Sequence, residues 1–454
     1  MIVTFMIALC MGFAAEATPP AARTASGRQA TSPDSPAPGA TQSEALRALP
    51  WVYFVDASML NAERNGLVHG RHVLVNREGR VELIADKPIT ADASIPRVRG
   101  ALLLPYLADG YSLVQERGLG GDEDVNEDNQ TKMARYLANL GVGAFRDPIF
   151  PRGGLSATWS HQEVYAQHGY LDLPGGPGEA FNLIVKPEDR PEDVAARLPA
   201  SGPVTLWWSQ AGTDAPVPWV AGLERAERLI AFFRAQGRKV GAYIQDAAAP
   251  DLQVALTLPF DFYEGIPDRL SSSDLTAMGS AVWLPLAGLN DRRYCAALLE
   301  ERLPLLGEYG LYDAAVLARV HGRLDEVYRR IADRCGIWRE RREQVLDWVR
   351  RWQKEGGKLA VGSGGGHLFA FSGDVRAELD TWAALGLPVS DMLVACYRHT
   401  PQLLGYDEPY LQQGKLAHFV VYRGDGTWTP EAWLKRVGTR VDDRFFQGER
   451  LPQP

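Results

Sequence analysis

Residues 101–114, ALLLPYLADGYSLV, decide how the rest of the chain is interpreted. The stretch opens with four consecutive apolar residues and ends in a polar segment that carries Asp109. A continuous apolar run of this length is typical of a parallel strand that is covered on both faces. The carboxyl end of such a strand faces the ligand in α/β folds. The stretch therefore predicts a buried strand with Asp109 at the edge of a site.

Strands and helices alternate after this stretch. The segment VGAFRD at 142–147 predicts the next strand, with Arg146 and Asp147 at its carboxyl end. Apolar residues at helical spacing in 222–237 lead into a further strand, KVGAYIQD. Similar apolar segments recur about once per βα unit, so the number of strands approaches eight. This pattern favours an α/β fold built on a closed (β/α)8 barrel like that of triosephosphate isomerase.

Two β-rich regions flank the predicted barrel and are expected to form one small β-sandwich domain from both chain ends. The first contains HVLVNREGRVELIAD at 72–86, a hairpin pattern that turns at Gly79. In chain order, the predicted segments are a signal peptide at 1–17, a disordered Pro/Ala/Ser-rich linker at 18–43, a first β part at 44–100, the barrel at 101–400, a closing β part at 401–430 and a C-terminal tail at 431–454.

The first seventeen residues indicate export. They form an apolar stretch that is too short to span a bilayer and ends in small residues, with Ala15 and Ala17 in an A-x-A arrangement. We expect a periplasmic or secreted protein with no transmembrane helix after cleavage. A lipid anchor is less favoured because Leu9 is a poor residue before Cys10, and a misassigned start codon is the alternative to a signal peptide.

Composition narrows the class of partner. The 454 residues are 46% hydrophobic and 23% charged, which is typical of a globular protein, and the formal net charge is −8. That charge argues against nucleic-acid binding, so we expect a small neutral or polar ligand, with a homodimer possible. The four cysteines, Cys10, Cys295, Cys335 and Cys396, form no CxxC motif, and buried unpaired thiols are favoured over a disulfide framework.

Taken together, these stretches resemble the amidohydrolase superfamily, in its branch of imidazolonepropionase-like metal-dependent hydrolases. LLLPYLADGYSL at 102–113 resembles the family's strand LLPGLIDAHVHL, and QQGKLAHFVVYRGD at 412–425 resembles its closing segment EPGKLADLVVLDGD. The resemblance spans about residues 73–425. It implies a barrel hydrolase in which one or two divalent ions activate water.

The same comparison implies that the metal ligands have been replaced. The family's first two histidines fall on Tyr111 and Leu113, although the preceding acid is kept as Asp109. The other ligand positions fall on Leu206 or Trp207, Tyr243 or Gln245, Glu264, and Gly364. Because Tyr, Leu and Gly do not provide the usual metal coordination, we expect no cofactor. The alternative is one weakly bound divalent ion on the remaining carboxylates.

The candidate site residues all follow predicted barrel strands. The candidate catalytic residues are Asp109, Glu264 and His367, the last of these in the glycine-rich segment GSGGGH. The expected ligand-binding residues are Tyr111, Arg146, Asp147, Trp208, Tyr243, Gln245 and Ser363. For the charged members, an ion-pair network centred on Arg146 is the preferred alternative to acid–base chemistry. Trp207 and Trp208 alternate, so one of them is expected to face inward.

Two functional hypotheses follow from these residues. The first is an exported relative of the amidohydrolases that has lost metal-dependent hydrolysis and keeps the pocket for a small ligand or a partner. The alternative is an active hydrolase of amide or cyclic-amide C–N bonds, with a rebuilt carboxylate-based or weak-metal site.

Overall fold

A computed structural model of the chain describes residues 52–112, 137–147, 163–166, 170–176, 182–209, 217–288, 340–364, 375–405, 411–424 and 427–451. The predicted signal peptide, the linker, His367, Cys295 and Cys335 lie outside these ranges. Of the helices within them, none combines the length and the apolar character that crossing a membrane requires. Cys396 is buried with a free thiol.

Eighteen strands are described, in three sheets. In chain order they are β1 Val52–Leu60, β2 Leu67–Val75, β3 Val81–Ala85, β4 Arg97–Arg99, β5 Leu102–Leu104, β6 Leu107–Asp109, β7 Val142–Asp147, β8 Glu163–Ala166, β9 Leu171–Asp172, β10 Leu183–Ile184, β11 Val204–Trp207, β12 Val240–Tyr243, β13 Phe262–Glu264, β14 Val282–Leu284, β15 Lys358–Leu359, β16 Phe419–Tyr422, β17 Asp443–Phe446 and β18 Glu449–Leu451.

Helices separate most of the later strands, as the sequence predicts for parallel βα units. The described helices are α1 Pro191–Ala195, α2 Pro218–Ala221, α3 Leu223–Ala235, α4 Ala249–Ala255, α5 Ser272–Met278, α6 Arg376–Ala384, α7 Val389–Val394, a π-helical turn Ala395–His399, α8 Thr400–Leu404 and α9 Pro430–Arg436, with one more at 340–354. In α3 the residues at helical spacing are buried, and the chain leaves the helix at Gly237, whose φ of +75° suits a glycine.

The region that is predicted to form the barrel contains two sheets of parallel strands. One has the order β6-β7-β8, and the other has the order β10-β9-β11-β12-β13-β14-β15. Hydrogen bonds join the two sheets just beyond β6 and β15: Gly110 N donates to Val361 O at 3.0 Å, and Gly364 N donates to Tyr111 O at 2.8 Å. These contacts form a seam that brings the carboxyl ends of the first and last strands of the region together.

An eight-stranded sheet combines both ends of the described chain. Its order is β18-β17-β16-β5-β1-β2-β3, and β4 also pairs with β1. The predicted hairpin is present as antiparallel β2 and β3. The predicted C-terminal tail at 431–454 is wrong, because α9, β17 and β18 lie there and β17 pairs with β16. Phe445 explains this, since its ring stacks on Phe419 at 4.9 Å in the core of the sheet.

The two outer turns of this sheet meet through the segment 414–417. Ala417 N donates to Gly79 O at 2.7 Å, and Gly448 N donates to Ala417 O at 2.8 Å. Gly79 has a φ of +71° and lies so close to Gly448 that a Cβ atom at position 79 would be 1.9 Å from Gly448 O. Position 79 therefore requires glycine for two reasons: its backbone is left-handed, and a side chain would block the close approach to Gly448.

A half-buried histidine, His418, supports the packing beside this sheet and predicts an acid-sensitive fold. The His418 ring packs against the rings of Tyr106 and Phe446, with centroid distances of 4.9 and 4.8 Å, and those two rings also contact each other at 5.7 Å. Burial lowers the pKa of His418 to about 4. The unfolded chain, with a histidine pKa near 6.5, takes up this proton first as the pH falls. Stability should therefore decline between about pH 6.5 and 4, by about 3 kcal/mol in total from this group.

Urea unfolding as a function of pH checks this expectation. His418→Phe keeps an aromatic ring against the same neighbours but cannot be protonated, so its stability should fall less steeply over that interval. Parallel pH profiles for the wild type and the variant would contradict the assignment.

Candidate functional site

A buried ion pair occupies the carboxyl ends of the parallel strands. Arg146, near the end of β7, contacts Glu264, the last residue of β13, with Nη1 to Oε1 at 2.6 Å and Nη2 to Oε2 at 2.9 Å. Both side chains are 0% exposed. The Arg146 guanidinium also lies over the ring of Phe262, 5.7 Å from its centroid. This two-pronged geometry is the strong form of an arginine–carboxylate interaction.

Two hydroxyl groups complete the surroundings of Glu264. Thr205 Oγ1 donates to Oε1 at 2.9 Å, and Tyr170 OH donates to Oε2 at 3.1 Å. Each carboxylate oxygen therefore accepts one bond from Arg146 and one from a hydroxyl. Arg146 itself also donates to Gly110 O and to Thr205 Oγ1, both at 3.3 Å.

Burial and charge set the ionisation of these groups. Desolvation works to lower the pKa of Arg146, but the Glu264 charge and hydrogen bonds outweigh it, and the pKa is raised. Burial raises the pKa of Tyr170 well above its usual range, and the neighbouring Glu264 charge adds to the effect. The network therefore contains a permanent guanidinium and a neutral phenol at physiological pH.

Four aromatic side chains lie beside the ion pair. The Trp207 ring contacts the rings of Tyr243 and Tyr170, with centroid distances of 4.5 and 5.2 Å, and the two tyrosine rings are 4.8 Å apart. Tyr111 belongs to the same apolar cluster. Trp207 is the partly buried member, whereas the three tyrosines are buried. Trp207 and Tyr243 end β11 and β12, whereas Tyr111 follows β6 and Tyr170 precedes β9. We call these four side chains, Tyr111, Tyr170, Trp207 and Tyr243, the aromatic wall.

Asp109 and Ser363 interact at the seam. Ser363 Oγ donates to Asp109 Oδ2 at 2.6 Å, and Ser363 N donates to Oδ1 at 2.8 Å. Tyr111 N also donates to Oδ1, at 3.2 Å. The Asp109 carboxylate therefore orients the chain beyond β15 against the chain beyond β6.

The remaining predicted residues differ in position. Asp147 is buried at the end of β7. Gln245 connects two loops, since its Oε1 accepts from Ile266 N at 3.0 Å and its Nε2 donates to Asp246 at 3.1 Å. His367 falls outside the described residues.

The prediction that Trp208 lines the site is wrong. Its Nε1 donates to Asp251 O in α4 at 2.8 Å, and its ring packs edge-on against Phe260. Because side chains alternate along β11, Trp207 shares the face of Thr205 and joins the aromatic wall instead. Sequence reasoning also missed Thr205 and Tyr170, although the alternation in VTLWWSQ contains the signal for Thr205.

The donor set does not fit the metal centre that the resemblance implies. Glu264 is the carboxylate at one of the ligand positions, and both of its oxygens are engaged by Arg146, Thr205 and Tyr170. Among the residues that the structure describes, no three His, Cys, Asp or Glu side chains form a group able to hold a metal ion. A guanidinium lies against the carboxylate that a metal would need.

Comparisons with known proteins place the fold. No protein-family model matches the chain, and neither does any curated protein sequence. Among solved structures, it is similar to a Xaa-Pro dipeptidase with methionine bound in its active site, with a TM-score of 0.62 and 14% identity over 89% of this chain and 100% of that one.

Two further structures show the same similarity. The bottromycin amidohydrolase has a TM-score of 0.56 and 18% identity over 90% of this chain and 88% of its own. The ochratoxinase of A. niger has a TM-score of 0.57 and 13% identity over 88% and 96%. At the level of the fold, these similarities confirm the resemblance noted in the sequence.

Proposed function

Since the chain has the fold of the amidohydrolase superfamily, we propose that it is an exported relative of those hydrolases that binds a small molecule at its strand ends and has lost metal-dependent hydrolysis. The observation that carries this proposal is that both carboxylate oxygens of Glu264 already accept hydrogen bonds from Arg146, Thr205 and Tyr170. Because its oxygens are engaged in these bonds, this carboxylate is poorly placed to bind a metal ion or to accept a proton from a substrate. Export is proposed on the signal-peptide pattern at 1–17.

The ligand class follows from the aromatic wall and the charge beside it. The charges of Arg146 and Glu264 cancel, so the ion pair favours neither an anionic nor a cationic ligand. The partly buried ring of Trp207 offers a flat apolar contact next to the buried tyrosines. We therefore propose an uncharged ligand with a planar ring.

The binding site is proposed to lie in the mouth of one closed barrel. The hydrogen bonds of the seam support this, because they connect the sheet that begins with β6 to the sheet that ends with β15. For the β domain, the contact between Gly79 and Gly448 supports a sandwich, since it joins the two outer turns of the eight-stranded sheet.

Metal analysis and ligand screening test this function. Elemental mass spectrometry of the untagged protein, before and after incubation with Zn²⁺ or Mn²⁺ and dialysis, should find far less than one transition metal per chain. A thermal-shift screen with uncharged aromatic heterocycles should find compounds that raise the melting temperature. Trp207→Leu should weaken their binding about five- to tenfold, since a stacked aromatic contact contributes about 1 kcal/mol.

The matched control is Glu343→Gln, which changes an 81% exposed side chain on the helix at 340–354. It should leave ligand binding unchanged. One or two tightly held metal ions per chain, or equal binding by wild type and Trp207→Leu, would overturn the proposal.

Hydrolysis of an amide or cyclic-amide C–N bond is the second candidate. It is favoured by the short hydrogen bond from Ser363 Oγ to Asp109, because a carboxylate in that position can accept the proton of an attacking hydroxyl. The same preparation is therefore assayed on amides, cyclic ureas and lactones. Turnover that disappears in Ser363→Ala would replace the binding proposal with this one.

A further inference from the structure

We propose that the Arg146 guanidinium is the resident cation of the site, a positioning group that holds Glu264, and through it Tyr170 and Thr205, in the arrangement on which the aromatic wall depends. The inference rests on the proposed metal-free function and adds the residue that makes it possible. It also predicts that the side chain at position 146 must be positively charged, a requirement that packing alone would not impose.

The first argument is the cost of burying Glu264. An ionised carboxylate without contact to water is stable only if a cation and hydrogen bonds replace its solvation. Arg146 is the cation in contact with it, at 2.6 and 2.9 Å, and the pair is 0% exposed. Removal of the positive charge would therefore leave an uncompensated buried anion.

The second argument is the path from Arg146 to the aromatic wall. Glu264 accepts the hydroxyl of Tyr170, and the Tyr170 ring contacts both Trp207 and Tyr243. On the other side, Thr205 accepts from Arg146 and donates to Glu264, and Trp207 lies two residues further along the same face of β11. The ion pair thus orients the ring that we propose to contact the ligand.

Two substitutions of similar length separate charge from packing. Arg146→Lys keeps the positive charge, whereas Arg146→Met removes it. If Arg146 acts as a cation, the unfolding equilibrium constant of the Met variant should be about 100-fold larger than that of the Lys variant. In a Glu264→Gln background, where the anion is absent, the difference should shrink to about threefold or less.

Chemical rescue gives a second readout. Arg146→Ala leaves space where the guanidinium was, and millimolar ethylguanidinium should raise its melting temperature while leaving wild type and Arg146→Ala/Glu264→Gln unchanged. If Arg146→Ala does not fold, the Lys and Met pair still decides the question. Equal stability of Lys and Met variants, or a difference that persists without Glu264, would overturn the inference.

Failure of this inference is distinguishable from failure of the proposed function. A wild-type protein that retains stoichiometric zinc or manganese refutes the function. A metal-free wild type whose Lys and Met variants behave alike refutes only the role of Arg146.

Discussion

Gly79→Ala is expected to destabilise the protein by about 3–4 kcal/mol. This is the sum of two costs, that of holding alanine in a left-handed backbone conformation and that of a collision between its Cβ atom and the backbone of Gly448. The new Cβ would lie 1.9 Å from Gly448 O and 2.5 Å from Gly448 C, so one of the two turns must move. Movement of either turn would also strain the bonds that Ala417 makes to both glycines. Urea unfolding followed by circular dichroism measures the change in free energy.

Gly70→Ala is the matched control. Gly70 has a φ of +66°, close to that of Gly79, but no heavy atom lies within 4 Å of a Cβ built there. Its substitution should cost only the conformational penalty, about 1 kcal/mol. If the two variants lose equal stability, the glycine contact contributes nothing beyond the backbone conformation.

Glu378→Gln is expected to cost about 3 kcal/mol, since it places a donor group among donors. Glu378, in α6, is 1% exposed and accepts from Ala287 N at 3.0 Å, from Gly288 N at 2.5 Å and from Trp382 Nε1 at 3.0 Å. Positions 287 and 288 have helical backbone, and their N–H groups carry the positive end of the peptide dipoles. In the glutamine variant an NH2 group replaces one of the two carboxylate oxygens. Wherever it lies, it would face an N–H group and leave that N–H without an acceptor.

Thermal and urea unfolding measure this loss, and hydrogen exchange locates it. The amides of Ala287 and Gly288 should exchange faster in Glu378→Gln than in wild type. The exposed Glu343→Gln again serves as the control and should change stability by less than about 0.5 kcal/mol. Unchanged exchange at 287 and 288 would show that Glu378 does not hold this turn.

Local periodicity made much of the fold predictable. The strand at 142–147, the helix within 222–237 and the hairpin that turns at Gly79 each depend on a pattern of fewer than twenty residues. The strands β17 and β18 were missed because they are four and three residues long, too short to establish an alternation. What places them is the distant contact of Phe445 with Phe419, which a single sequence does not reveal.

The site could be predicted only in part. Strand ends identified Asp109, Arg146, Tyr243 and Glu264, because parallel strands bring their carboxyl ends to one edge. Alternation established that one of the two tryptophans faces inward, but the choice depends on which face of β11 carries Thr205. The bidentate pairing of Arg146 with Glu264 joins residues that are 118 positions apart, so chain spacing contained no signal for its geometry.

The seam between β6 and β15 determines when one part of the site, the contact between Asp109 and Ser363, can form. The bond from Ser363 N to Asp109 joins positions 254 residues apart, so a growing chain must be synthesised past residue 363 before Asp109 acquires these donors. Contacts this distant in sequence form late, because the entropy of closing the intervening loop opposes them until the strands between have assembled. The contact between Asp109 and Ser363 is therefore a late product of folding, whereas the groups that surround Glu264 all precede residue 361 and would still be present in a chain truncated there.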